Sequence, residues 1–155
     1  VGNNGRRPLH HRLPVGVGHV GHQNITRLHP VHFADVVHHP DRASANFLTN
    51  GTVNGVSLRF LVDTGATMIS LGQSDARRVG LDASKGQRGY SETANGRAEV
   101  SRVKIDNIRV GDITLHNVDA LVHQNDMPIA LLGMSFLNRM EMQRDGSTMT
   151  LKKRF

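Results

Sequence analysis

The sequence of 155 residues contains no cysteine and no tryptophan, and aromatic residues make up only 4% of it. The absence of cysteine excludes disulfide frameworks, thiolate nucleophiles, cysteine-based zinc sites and iron–sulfur clusters. No run approaches the ~18 consecutive apolar residues that a transmembrane helix needs. No apolar stretch follows a basic start at the N-terminus either. The sequence therefore predicts neither a membrane segment nor a signal peptide.

The residues that are present are unevenly distributed. The length fits one domain, yet eight of the ten histidines and four of the five prolines fall within the first 40 residues. No sustained period of two or 3.6 residues runs through this part, so it has no apolar face to offset the entropy of ordering. We therefore expect residues 1–43 to be a disordered His/Pro-rich tail or linker and residues 44–155 to be the folded domain.

The charge and the histidines permit partners without requiring them. The net charge of +6 allows anionic partners, but the basic residues are scattered with few aromatic residues between them for base stacking. Neutral imidazoles can bind Zn²⁺, Ni²⁺ or Cu²⁺, but the histidines are adjacent or irregularly spaced. We therefore predict no nucleic-acid partner, no metal site and no cofactor.

From residue 44 onward, short apolar runs alternate with turn signals. Four dipeptides are typical of turns between strands: Asn54-Gly55, Asn95-Gly96, Gly111-Asp112 and Asp145-Gly146. The segment Ser74–Val79 has helical composition, with Ser70 or Ser74 as its expected cap and Gly80 as its expected end. Met134–Asn138 is a second candidate for a helical turn. Many short strands with one or two short helices predict an all-β fold, a small closed or partly closed β-barrel.

One carboxylate stands out by its context. Asp63 follows the apolar residues Phe60-Leu61-Val62 and precedes Thr64-Gly65. A carboxylate at the end of a buried strand is costly unless it is hydrogen-bonded or paired. Gly65 permits a sharp turn that brings backbone N–H groups near the acid. The residues alone leave two interpretations: an aspartate that caps its own turn, or a reactive carboxylate.

The wider sequence resembles the retropepsin-like aspartic proteases, in particular the bacterial single-domain members of clan AA. Phe60–Ile69 resembles their active-site segment, in which apolar residues precede Asp-Thr-Gly-Ala. Ile129–Met134 resembles their second signature, in which apolar residues precede a glycine. Glu92–Arg97 falls where the family has its flap hairpin. The resemblance covers roughly residues 46–155 and implies a closed barrel of the retropepsin type.

This resemblance implies an aspartic-type endopeptidase without a cofactor that acts on an extended polypeptide. Two carboxylates sharing one proton can activate a water and protonate the departing amine. The chain has a single Asp-Thr-Gly, and Asp106 and Asp145 lie in turn-like contexts without an apolar run before them. The second carboxylate is therefore expected from a second copy of the chain. In a two-fold homodimer, Asp63 would lie beside its own mate.

The roles of single residues follow from the resemblance. Asp63, Thr64 and Gly65 are the expected catalytic residues: the acid/base, a hydroxyl that holds the two loops in register, and a donor of backbone groups. The expected substrate-binding residues are Ala66, Thr93, Ala94, Asn95, Gly96, Ile129 and Ala130. Among them, Thr93–Gly96 would be the tip of a flap. Ile69, Ile129, Ala130 and Leu131 would line pockets or belong to the core.

Two further questions stay open at the level of sequence. The same fold could serve as a catalytically silent peptide-binding or dimerisation module, although the intact Asp63, Thr64 and Gly65 favour an enzyme. The resemblance implies a periplasmic or inner-membrane-associated location, and a cytoplasmic one stays open. Cleavage specificity and the physiological substrate do not follow from the spacing of residues.

Overall fold

The described part of the chain is mostly β-sheet. The computed structural model describes the backbone of residues 33–38 and residues 47–93, 95–146 and 148–154, all within one compact unit. The elements of these residues are β1 (Phe33–His38), β2 (Phe47–Val53), β3 (Val56–Val62), β4 (Ile69–Leu71), α1 (Gln73–Arg78), β5 (Gln87–Thr93), β6 (Gly96–Val110), β7 (Ile113–His123), β8 (Ala130–Leu132), α2 (Met134–Leu137), β9 (Met140–Asp145) and β10 (Thr148–Lys153). A short 3-10 helix, Ala83–Lys85, precedes β5.

Six strands close into a barrel. Their order is β2-β3-β8-β4-β7-β6, and β6 pairs back with β2. Strand β5 extends the sheet beyond β6, while β1, β10 and β9 extend it beyond β2. Side chains alternate between the two faces of each strand, and those on the inner face fill the barrel. In β3, Leu58 and Phe60 are buried and Arg59 between them is exposed. The predicted all-β fold, a small closed barrel with short helices, is confirmed.

The predicted turns are present, two of them displaced by one residue. Asn54-Gly55 and Gly111-Asp112 form two-residue hairpin loops between paired strand ends. At the other two turns, Gly96 and Asp145 are already strand residues. A dipeptide with turn propensity indicates that the chain reverses there, but cross-strand pairing decides which residue closes the ladder.

Asn54 holds the first hairpin against the rest of the barrel. Its φ angle is +49°, which suits the first position of a type I′ turn. Its side chain donates a hydrogen bond to the carbonyl oxygen of Val79 and accepts one from the backbone N–H of Asn107, each at 3.2 Å. The residue therefore supplies both a turn conformation and two links to neighbouring elements.

We expect Asn54→Ala to lower the free energy of unfolding by roughly 2–3 kcal/mol, because it strains a positive φ and removes two hydrogen bonds. Asn117→Ala is the matched control: Asn117 has a φ of +53° but makes no side-chain hydrogen bond with the described residues. It should cost only about 1 kcal/mol. Urea denaturation measures both values. Equal losses would show that the two side-chain hydrogen bonds contribute nothing.

Helix α1 begins differently from the prediction. Its N-cap is Gly72, without a side-chain cap, whereas Ser70 lies inside β4. The capping role falls to Asp126, whose carboxylate accepts hydrogen bonds from the backbone N–H and the hydroxyl of Ser74, each at 2.7 Å. These two bonds, the one from the hydroxyl first, lower the pKa of Asp126. The predicted end is confirmed, because Gly80 follows the helix with a φ of +78°.

Strand β1 corrects the predicted boundary of the folded domain. The sequence predicts residues 33–38 to be part of the tail, but they form a strand between β2 and β10. In its register Phe33 lies opposite Lys152, and Val37 lies opposite Leu48. Pairing with partners distant in sequence makes this strand, and periodicity along the segment cannot show it. Residues 1–32 and 39–46 lie outside the described residues, so the rest of the predicted tail stays a prediction.

Candidate active site

Asp63 lies directly after β3, where the chain leaves the barrel wall. Its backbone N–H donates to the carbonyl oxygen of Leu132 at 3.1 Å, which continues the parallel pairing of β3 with β8. The backbone N–H of Ala66 donates back to the carbonyl oxygen of Asp63 at 3.2 Å and closes a turn. Asp63 is half-buried, while Thr64 and Gly65 are exposed. The acid is therefore fixed by the sheet but lies at a surface that another molecule can reach.

The carboxylate of Asp63 has one clear hydrogen-bond partner. Oδ1 accepts a bond of 2.9 Å from the backbone N–H of Gly65, and Oδ2 accepts none from the described residues. The first bond is that of a turn-capping aspartate, one of the two interpretations that the sequence left open. The same bond orients the carboxylate and leaves Oδ2 available. An available oxygen agrees with the other interpretation, a reactive carboxylate. The two interpretations are compatible.

Gly133 supports this loop from behind. A methyl group on Gly133 would meet the carbonyl group of Met68 and would lie 2.8 Å from the carbonyl oxygen of Ala66. The next residue, Met134, donates its backbone N–H to that same oxygen of Ala66 at 2.8 Å. A glycine at this position therefore permits close packing of the short helix α2 behind the Asp63 loop.

A cleft of about 750 Å³ lies between the Asp63 loop and strand β5 of the hairpin. Of the residues predicted to act at the site, the cleft is lined by Asp63, Gly65, Ala66 and Thr93. Thr64 is exposed in the loop, and Asn95 and Gly96 are exposed at the hairpin tip without lining the cleft. Ala94 lies outside the described residues. The structure thus brings the Asp-Thr-Gly segment and the hairpin to the two sides of one cavity.

Of the residues predicted to line pockets, Ile69 of β4 is buried in the core, and strand β8 presents only Leu131 to the cleft. Ala130 is 1% exposed and belongs to the core, and Ile129 is half-buried; neither lines the cleft. Leu131 lines it instead. Successive residues of a strand point to opposite faces, so residues 130 and 132 face the core and residue 131 faces the cleft. The sequence predicts an apolar strand here, but it does not show which residues of the strand face the cleft and which face the core.

Three strands contribute a row of side chains to the cleft, of which the sequence predicts Leu131 but neither Ser70 nor Leu121. In the sheet, Ser70 of β4 pairs with Leu121 of β7 on one side and with Leu131 of β8 on the other. All three line the cleft. His123, two residues beyond Leu121 on the same face, lines it too. Alternation within β7 signals that residues 121 and 123 share a face, but only the pairing shows that this face is the cleft.

The hairpin side of the cleft carries an aromatic residue and an ion pair. Tyr90 lines the cleft and is 70% exposed. The guanidinium carbon of Arg97 lies 5.4 Å from the centroid of its ring, and Nε of Arg97 lies 3.4 Å from Oε1 of Glu92. Within the turn, the Thr93 hydroxyl donates to the carbonyl oxygen of Gly96 at 2.7 Å. These contacts organise the hairpin; its action as a flap stays a prediction.

The ionisable groups of the cleft lining are mainly acidic. Besides Tyr90, they are Asp63, Glu92 and His123. Burial lowers the pKa of His123, because a desolvated imidazolium is disfavoured. Across the described part of the chain, no three or more histidine, aspartate or glutamate residues cluster as a metal site would require. None of the described helices has the length and hydropathy to cross a membrane.

Sequence comparison relates most of the barrel to one family. Residues 49–139, more than half of the chain, match the family described as "gag-polyprotein putative aspartyl protease". An uncharacterized protein from the cobV 5′ region of Sinorhizobium sp. is 42% identical over 101 residues, which is 64% of this chain and 43% of that protein. An uncharacterized protein of Rickettsia prowazekii (strain Madrid E) is 36% identical over 96 residues, which is 61% of this chain and 41% of that protein. The chain thus spans less than half the length of these curated relatives.

A solved structure matches the fold over a larger share of the chain. It is the crystal structure of a retropepsin-like aspartic protease from Rickettsia conorii, with a TM-score of 0.67 and 30% identity. The match covers 79% of this chain and 92% of that one. With the Asp-Thr-Gly loop, the supporting glycine and the hairpin in the places described above, the chain belongs to the retropepsin-like aspartic protease family.

Proposed function

We propose that this chain forms a homodimeric aspartic endopeptidase in which Asp63 of each subunit takes part in one active site. The observation that carries the proposal is the state of Asp63: it is held by the Gly65 N–H, it keeps Oδ2 available, and it lies at the wall of a cleft. Exposure of Thr64 and Gly65 leaves the loop accessible to a second copy. Thr64 would then hydrogen-bond across the two-fold axis.

A second copy is needed because one chain does not offer a second suitable carboxylate within its described residues. Glu92 is the other acid that lines the cleft, but it is exposed and paired with Arg97 at 3.4 Å. Asp106 and Asp145 are exposed and do not line the cleft. A two-fold axis beside the Asp63 loop would instead bring two identical carboxylates together.

The chemistry follows from the sharing of one proton by two close carboxylates, since both cannot ionise cheaply. The ionised carboxylate accepts a proton from a water molecule as the water oxygen attacks the peptide carbonyl carbon. The protonated one donates its proton to the carbonyl oxygen, which gives a tetrahedral diol. Collapse of the diol breaks the C–N bond, with a proton transferred to the departing amine. The net reaction consumes one water and needs no cofactor.

The substrate class follows from the shape of the site. A cleft walled by strand β5 on one side and the Asp63 loop on the other suits an extended polypeptide, which binds by adding a strand and placing alternate side chains in pockets. Closure of the hairpin over such a peptide would exclude bulk solvent from the cleft while keeping the one water that reacts. We therefore expect unfolded or loosely structured proteins to be cleaved in preference to folded ones.

Dilution tests the shared active site directly. The specific activity per chain on an unstructured protein at mildly acidic pH should fall once the concentration drops below the dimer dissociation constant. Sedimentation of the same samples gives the fraction of dimer, and activity should follow that fraction. A monomer that retains full activity per chain would contradict the proposal.

A further inference from the structure

His123 is an unusual residue in the wall of the cleft. It is 9% exposed, and with Ser70 at 4% it is one of the two buried polar or charged residues among those the structure describes. Both line the cleft. Across the rest of the described barrel, buried positions are apolar. The two polar exceptions to the apolar interior therefore lie in the wall of one cleft.

The imidazole of His123 has no hydrogen-bond partner among the described residues. In that part of the chain, no fully enclosed side-chain nitrogen or oxygen lacks a partner, so its ring nitrogens must reach open space. Alternation along β7 places its side chain on the face of Leu121, which lines the cleft. His123 also borders a smaller depression of about 250 Å³ that Arg88 and Glu99 line.

Ser70 lies on the strand next to that of His123 and faces the same cleft. Ser70 pairs with Leu121, and His123 lies two residues beyond Leu121 on β7, roughly 6–7 Å further along that strand and on the same face. The Ser70 hydroxyl donates to the carbonyl oxygen of Met68 at 3.3 Å, which leaves its oxygen able to accept a hydrogen bond. The neighbours of His123 on this face of the sheet are apolar: Val100, its buried partner in the β6–β7 pair, and Leu121.

We propose that His123 and Ser70 form a polar subsite of the cleft that selects a substrate side chain with a hydroxyl or carboxamide group. This rests on the proposed function, since it assumes that the cleft takes an extended peptide. A neutral imidazole offers one donor and one acceptor, and the serine oxygen offers a further acceptor. An apolar side chain in this place would cover these groups and leave them unpaired, which weakens binding.

Charged substrate side chains fit the subsite less well. A carboxylate would meet Asp63 and Glu92, which line the same cleft, and would be repelled. An ammonium or guanidinium group would be attracted by the same two acids, but beside His123 it would have to lose water next to Leu121 and Leu131 and would meet a ring that offers it no negative charge. Burial lowers the pKa of His123, which favours the neutral ring. A neutral hydrogen-bonding group is the remaining match.

The test measures peptide binding without turnover, on the full chain carrying Asp63→Asn. A fixed ten-residue extended peptide is varied one position at a time among Leu, Ser, Thr, Asn, Gln, Glu and Lys, and dissociation constants are measured by fluorescence anisotropy. At one position, we expect Ser, Thr, Asn or Gln to bind roughly tenfold more tightly than Leu. With His123→Leu added, Leu should bind at least as well as the polar residues there.

A second variant separates the subsite from a loss of folding. With His123→Gln added instead, the polar preference should persist, since glutamine keeps a donor and an acceptor; circular dichroism checks the fold of each variant. The inference is overturned if no position prefers hydroxyl or carboxamide groups, if the preference survives His123→Leu, or if no peptide binds. Because turnover is not measured, a chain that binds with this preference but cleaves nothing would refute only the proteolysis.

Discussion

Replacing Asp63 with asparagine is expected to reduce peptide cleavage by roughly 10²–10⁴-fold or more, because the general acid–base step loses both of its carboxylates in the dimer. Asparagine keeps the shape of the side chain, and its carbonyl oxygen can still accept the 2.9 Å bond from the Gly65 N–H. The turn should therefore survive while the chemistry is lost. Cleavage of an unstructured protein at mildly acidic pH, followed by the appearance of new amino termini, measures the effect.

Asp106→Asn is the matched control for this variant. Asp106 is an exposed carboxylate that does not line the cleft, so the same chemical change there should leave cleavage within a factor of about two. Equal activities of the wild-type chain and Asp63→Asn would refute the proposed enzyme. Such a result would favour the peptide-binding or dimerisation module that the sequence left open.

Mixing the two chains tests whether Asp63 acts in pairs. At concentrations well above the dimer dissociation constant, equal amounts of wild-type and Asp63→Asn chains should form mixed dimers that contain one competent carboxylate. If the mixed dimers are inactive, the activity per wild-type chain should fall to about half of that of the same amount of wild-type chain alone. Activity that does not change on mixing would show that each chain works by itself.

Much of the fold was predictable because its signals are local. Asn54-Gly55 marks a two-residue hairpin through the conformations that these residues adopt, with φ angles of +49° and +82°. The alternation around Phe60 marks a strand with a buried face. The order of the Asp-Thr-Gly segment and the later apolar-Gly segment then suggested one family, which the family match over residues 49–139 confirms.

What the sequence did not predict depends on pairing between distant segments. Strand β1 lies in the sheet because β2 and β10 bind it from both sides, although its own segment has no clear period. The row formed by Ser70, Leu121 and Leu131 results from the register of three strands. A shift of one residue would turn Ala130 toward the cleft and Leu131 toward the core. Sequence identifies apolar runs, but tertiary register decides which residue of each run faces the substrate.

Gly133→Ala is expected to lower the free energy of unfolding by about 3 kcal/mol and to abolish activity. The added methyl group would meet the carbonyl group of Met68 and would lie 2.8 Å from the carbonyl oxygen of Ala66. Backbone atoms in a packed interior cannot move aside as a flexible side chain can, so overpacking here costs at the upper end of its usual range. Relief of the clash would displace the Asp63 loop and weaken the bond from the Met134 N–H to Ala66.

Gly89→Ala is the matched control for this prediction. It adds the same methyl group to a strand residue with no heavy atom within 4 Å of the new position, so stability should change little or rise slightly. Urea denaturation gives both free energies of unfolding. If Gly133→Ala proves as stable as Gly89→Ala, close packing behind the loop does not fix the carboxylate. The position of Asp63 would then depend on the sheet bond to Leu132 and the turn bonds of Gly65 and Ala66 alone.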